Sequence, residues 1–188
     1  MKSILIVVDM QNGFNRYEQT HLLADKISKL TNGGFFDSII ATRFINREGS
    51  QYTRFLDWHR LIYSPDIDLI EGISVDKIVD KFVYTCVNEE FLSLLKELND
   101  GNLPPLVFIC GADTDCCVLK IATDVFERGL VPVVLSKYCD SNGGLESHEA
   151  GLLVMKRLIG KKNIVDDIIQ CKKDVDRIIE EHRGMLEA

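Results

Sequence analysis

At 188 residues, 46% hydrophobic and 27% charged, the chain can bury one core without disulfide or metal staples. A net charge of −7 disfavours non-specific nucleic-acid binding, which needs clustered Lys and Arg, and no apolar run approaches the length of a membrane span. Six cysteines with no CxxC spacing suit a reduced, cytoplasmic protein better than a disulfide framework or a zinc site, and the short apolar start lacks the features of a signal peptide.

Taken in order, short apolar runs alternate with amphipathic segments. Ile4 to Val8 reads as a buried strand, being continuous and β-branched. Glu18 to Leu30 carries apolar residues at helical spacing, and Asn32-Gly33-Gly34 stops it. Ser38 to Phe44 reads as a strand, Tyr52 to Ile62 as a short helix, Ile78 to Tyr84 as an extended segment and Glu89 to Leu98 as a helix. Leu106 to Cys110 is a strand preceded by Pro104-Pro105, which cannot sit inside a sheet. Cys116 to Arg128 is a helix closed by Gly129, Val131 to Ser136 a strand, and Ser147 to Ile159 a helix with Gly160 past its end. A short strand at Asn163 to Val165 and a helix from Ile168 to His182 finish the chain. The alternation predicts one α/β domain over residues 1–188, with a parallel sheet covered by helices on both faces.

Ligands of open parallel sheets bind beyond the carboxyl ends of the strands. Two such ends stand out. Asp9 follows the first strand, where a carboxylate must be paired, hydrogen-bonded or functional. Gly111 to Cys117 follows Leu106–Cys110 and opens a helix, with Thr114 or Asp115 as the N-cap. Thiols in a first helical turn face positive partial charge, which lowers their pKa, and the same turn offers backbone N–H groups to an oxyanion. Helical phase turns Cys117 toward sheet and cleft, with Ile121 and Val125 near its face, and Cys116 away along Lys120, Thr123 and Glu127. The plainer reading is a pair of buried cysteines at an ordinary βα junction. Lys81, in Ile78-Val79-Asp80-Lys81-Phe82-Val83-Tyr84, completes a set of acid, base and thiol.

These residues resemble the isochorismatase-like cysteine hydrolases, a superfamily that includes nicotinamidases and N-carbamoylsarcosine amidohydrolases. Asp9-Met10-Gln11-Asn12-Gly13-Phe14 is similar to its D-x-Q-N-x-F opening, Lys81-Phe82-Val83-Tyr84-Thr85 to its lysine motif, and Gly111 to Val118 to G-x-x-T-D-x-C-V. The resemblance implies a three-layer α/β/α sandwich around a mostly parallel six-stranded, Rossmann-like sheet. It implies Cys117 as nucleophile, Asp9 as general acid and base, and Lys81 as their electrostatic partner. It also implies a cis Ala112–Asp113 peptide and an oxyanion hole made by the N–H groups of Asp113 and Cys117.

Nicotinamidases carry a metal-binding D-x-H after the second strand. Here that place reads Thr42-Arg43-Phe44-Ile45-Asn46, and Asp57-Trp58-His59 falls inside the expected helix downstream, so no metal or other cofactor is expected. The expected activity is metal-independent hydrolysis of a C–N bond in a small amide or carbamoyl compound. Phe14 and Phe44 are candidates to flank the substrate. The alternatives are vinyl-ether hydrolysis of the isochorismatase type, which needs no thiol, and a non-catalytic binding or assembly role. Relatives suggest a homo-oligomer, a dimer or tetramer; a nucleic-acid or membrane partner is not expected.

Overall fold

The computed structural model describes residues 1–186. Six parallel strands form one sheet in the order β3-β2-β1-β4-β5-β6. They are β1 (Ile4–Val8), β2 (Ser38–Phe44), β3 (Lys77–Lys81), β4 (Leu106–Ala112), β5 (Val131–Asp140) and β6 (Ile164–Val165). Every residue of β1 and β4 is buried, which requires helices on both faces of the sheet centre. Edge strand β3 is mostly exposed until Lys81, which is 2% exposed. The helices are α1 (Glu18–Asn32), α2 (Gln51–Phe55), α3 (Glu89–Leu98), α4 (Leu119–Glu127), α5 (Leu145–Leu158) and α6 (Lys172–Leu186). Among the described residues no helix is long and apolar enough to cross a membrane.

The order reverses between β1 and β4, so the crevice outside their carboxyl ends lies at a topological switch point. Gly111 lets these two strands approach there. It sits at φ 120, and a Cβ on it would lie 2.2 Å from the Val8 carbonyl oxygen. The approach brings Asp9, which leaves β1, beside the turn that leaves β4.

Three expected elements differ by four residues or more at an end. The Tyr52–Ile62 helix stops at Phe55. The side-chain amide of Asn46 donates to the carbonyls of Trp58 and Arg60, both at 3.0 Å, and Asp57 and Leu61 take left-handed backbones (φ 50 and 58), which a helix cannot contain. The expected last helix starts at Lys172 rather than Ile168. The Asp174 carboxylate accepts the N–H groups of Gln170 and Cys171 at 2.8 and 3.0 Å and so caps the helix start there. β5 runs on to Asp140 rather than ending at Ser136, because its pairing with β4 jumps from Ile109↔Val134 to Gly111↔Cys139. That bulge carries the segment after β5 to the end of β4.

Candidate active site

Asp9 ends β1 in a left-handed conformation (φ 49) and is fully buried. Thr42, on the neighbouring strand, donates from Oγ1 to Asp9 Oδ1 at 2.6 Å and accepts the Asp9 N–H at 3.1 Å. That pair of bonds fixes the carboxylate. Its other oxygen, Oδ2, lies 2.8 Å from Lys81 Nζ in an ion pair whose side chains are 1% and 0% exposed. A carboxylate oxygen has two lone pairs, so the Lys81 contact leaves Oδ2 able to accept a second proton donor.

Lys81 stands two strands from β1, about 10 Å away at ordinary strand spacing, so only a long side chain reaches Asp9. It crosses the end of β2 over the ring of Phe44, with Nζ 5.0 Å from the ring centroid. An ammonium has three N–H groups, and Lys81 has three acceptors: Asp9 Oδ2, Cys117 Sγ at 3.3 Å and the Val83 carbonyl at 3.1 Å. Burial works against its charge, but Asp9 and Cys117 outweigh that and hold the lysine pKa above its ordinary value.

Cys117 lies in a π turn, Thr114–Val118, that precedes α4. The N–H groups of Cys116 and Val118, on either side of it, both donate to the Asp113 carbonyl at 3.1 Å. The Ala112–Asp113 peptide is cis. Contrary to the capping expectation, neither Thr114 nor Asp115 caps the turn. Thr114 Oγ1 meets His148 Nδ1 at 2.8 Å, and Asp115 accepts from the Ser141 hydroxyl, because α5 and the segment after β5 pack against this turn.

Two further expectations about the thiols are corrected. The Cys117 thiol is not acidified. Burial first, then the Asp9 carboxylate, push its pKa well above normal, and Lys81 offsets only part of this. The helix-terminus effect falls off within one turn and does not compensate removal from water. Cys116 does not face away either. In the wider π turn consecutive residues lie closer in angle, and both cysteines line the same cavity. Cys116 is half-buried, and burial with Asp115 and Asp113 nearby pushes its thiol up to about 12.

The cavity beyond Cys117 measures about 300 Å³, the size of a small-molecule site. Phe14 and Phe44 line it, and four aromatic residues missed from the sequence join them: Tyr17, Tyr52, Trp58 and Tyr84. Phe14 stacks on Trp58 (5.7 Å between centroids, 18° between planes), and Tyr52 meets Phe44, Trp58 and Tyr84 edge-on. Buried Gln11 positions Phe44 through both of its backbone groups, with Phe44 N–H donating to Oε1 at 2.8 Å and Nε2 donating to the carbonyl at 2.9 Å. Asn142 and Asp113 form the polar wall. Asp113 Oδ1 accepts from the backbone and side-chain N–H groups of Asn142 at 2.9 and 2.7 Å, so this carboxylate neither faces open solvent nor stands free.

Burial raises the Asp113 pKa from 3.8 to about 6, against the lowering effect of its Asn142 bonds. A carboxyl whose folded pKa is raised binds its proton more tightly when folded. Asp113 therefore contributes a destabilisation that is absent below about pH 4 and complete above about pH 6. Asp113→Asn is expected to gain up to about 3 kcal/mol over the parent at pH 7.5 and little at pH 4, by calorimetry at both pH values. An equal shift at the two pH values would assign the effect to packing.

The residues at the nicotinamidase metal position have other work. Thr42 holds Asp9, Arg43 pairs with Asp80, and Asn46 binds the loop carrying Trp58 and Arg60. Asp57 and His59 pair with each other at the surface, and they are not part of the expected helix. Among the described residues no group of three His, Cys, Asp or Glu side chains is placed to hold a metal.

Residues 3–162 match the family model for the isochorismatase domain. The chain belongs to the isochorismatase-like hydrolase family. Solved structures with this fold include an isochorismatase-like hydrolase from Alkaliphilus metalliredigens (TM-score 0.70, 21% identity, 84% of this chain and 92% of that one). A nicotinamidase from Bacillus subtilis follows (0.68, 20%, 85% and 97%), and an N-carbamoylsarcosine amidase from Thermoplasma acidophilum (0.66, 18%, 82% and 93%). A sequence search of curated proteins found no match.

Proposed function

We propose that this protein hydrolyses a C–N bond of a small amide or carbamoyl compound through a thioester on Cys117. The observation that carries the reading is the buried contact of one ammonium with both a carboxylate and a thiol at the floor of a cavity. Vinyl-ether hydrolysis would leave the thiol without a task. Two relatives named for amidase activities support the choice of a C–N bond.

The resting nucleophile is a thiol, so proton transfer accompanies attack. Asp9 takes the Cys117 proton on Oδ2, the oxygen that shares the Lys81 ammonium with the thiol, while sulfur bonds to the substrate carbon. The carbonyl oxygen becomes an oxyanion held by the N–H groups of Asp113 and Cys117. The C–N bond then breaks, nitrogen takes the proton from Asp9, and the amine or ammonia leaves. Water adds to the thioester as Asp9 accepts its proton. The C–S bond breaks, sulfur recovers the proton, and the acid departs. The Lys81 ammonium, in contact with both Asp9 Oδ2 and Cys117 Sγ, offsets negative charge on whichever of the two carries it.

A panel of primary amides and ureido compounds, screened for ammonia release and followed by acid quench and peptide mass spectrometry, tests the reading. The expected result is an acyl or carbamoyl mass on Cys117 during turnover. Turnover with no adduct on Cys117 and unimpaired by its alkylation would overturn it.

A further inference from the structure

Arg60 has no part in the scheme above, yet it lines the same cavity. Its position is built. The Asn46 amide holds the carbonyls of Trp58 and Arg60, the Asn46 N–H donates to the Leu61 carbonyl at 2.7 Å, and the left-handed Asp57 and Leu61 bracket the segment. Leu61 is fully buried against Gly13, where a Cβ would lie 2.6 Å from its side chain. The loop therefore cannot shift outward or inward without losing these contacts, and the guanidinium is presented from a fixed backbone.

The guanidinium is only partly used. One terminal nitrogen pairs with Asp66 at 3.0 Å, while Nε is buried and has no hydrogen-bond partner. With Nε buried and Nη2 on Asp66, the remaining terminal nitrogen is the other part of this cation with no protein acceptor. Exposed Arg16 lines the same cavity, whereas the cavity's acid, Asp113, is occupied by Asn142. The stacked rings of Phe14 and Trp58 line the same cavity as the arginines and Cys117.

We propose that Arg60 is a specificity-determining residue that binds a carboxylate on the substrate, so that the protein selects a small, planar amide bearing an acid group away from its scissile bond. The proposal rests on the hydrolase reading for which bond faces Cys117, but binding at Arg60 does not require that chemistry. The side chain is 33% exposed, so the carboxylate would meet the terminal nitrogen that Asp66 does not use, while Asp66 holds the guanidinium in place through Nη2.

Trp58 is the chain's only tryptophan and lines the cavity, so its fluorescence reports occupancy directly. The titration uses 3-carbamoylbenzoate and its uncharged analogue benzene-1,3-dicarboxamide, with Cys117→Ala present throughout so that neither is turned over. The acid is expected to bind at least about tenfold more tightly than the diamide when Arg60 is present. In Arg60→Met and Arg60→Gln the preference, read as the ratio of the two affinities within each variant, should fall to within about twofold, and Arg60→Lys should restore part of it. Two uncharged replacements guard against one failing to fold, and thermal melts accompany each. Equal binding of the two ligands to Arg60 protein, no binding of either, or a preference that survives both uncharged replacements would overturn the proposal. Because the titration lacks the thiol, loss of Cys117 chemistry in the turnover assay leaves its outcome independent.

Discussion

Cys117→Ala is expected to lower turnover by at least about 10⁴-fold while leaving the protein folded. The loss is large because the thioester divides one difficult hydrolysis into two easier steps, and no neighbouring group can replace the sulfur. Cys116 shares the cavity, but its thiol is pushed up to about 12 and its hydrogen-bond partner is Asp115 rather than Lys81. The stability cost is small by comparison. The change removes one buried sulfur and one acceptor of the Lys81 ammonium, about 1–2 kcal/mol, or a few degrees of Tm for a chain of this size. Cys116→Ala is the matching control and should keep turnover within about threefold, since a side chain outside the reacting set contributes mainly packing. Steady-state rates for both variants on one identified substrate, with melts alongside, make the check. Retention of wild-type turnover in Cys117→Ala would end the thioester scheme.

The difference between the two thiols was accessible from residue order only in part. Apolar periodicity marks the strands well, because the central strands are buried on both faces and admit nothing but apolar residues until Asp9 interrupts them. Asp9, Lys81 and Cys117 each end or follow a strand, and the sheet order brings them together at the switch point. The thiol's raised pKa was not readable. It depends on how completely the surrounding structure removes water, which outweighs the favourable position at a helix start.

The cavity wall was hidden for a different reason. Trp58 and Arg60 lie between α2 and β3, where local propensity suggests a helix. What decides their backbone is long-range: the Asn46 side chain takes two of their carbonyls, and Gln11 joins Phe44 to Ile67. No local period encodes such bonds. Thr42 offered a faint signal, a hydroxyl inside an apolar strand next to the one that ends in Asp9, and its bonds to Asp9 give that signal its meaning.

Lys81→Met and Asp9→Asn should each abolish turnover and also destabilise the fold, and combining them should separate the two effects. Each single change leaves one buried charge or its partner groups uncompensated. Lys81→Met would leave the carboxylate of a fully buried Asp9 with Thr42 as its remaining partner, and Asp9→Asn would leave the buried Lys81 ammonium without its counter-charge. Breaking a buried pair from one side costs about 3–5 kcal/mol, which lowers Tm by about 10 °C at this chain length. Removing both charges leaves no buried ion, so the double variant should recover to within about 2 kcal/mol of the parent. Activity should not recover. Without Asp9 no group takes the proton of a thiol whose pKa burial holds high, and the loss should stay at about 10³-fold or more. Denaturant melts and turnover on the same four proteins decide it. A double variant as unstable as the worse single would show that the pair is held by geometry rather than by mutual charge. A double variant that regained turnover would remove Asp9 from the proton path.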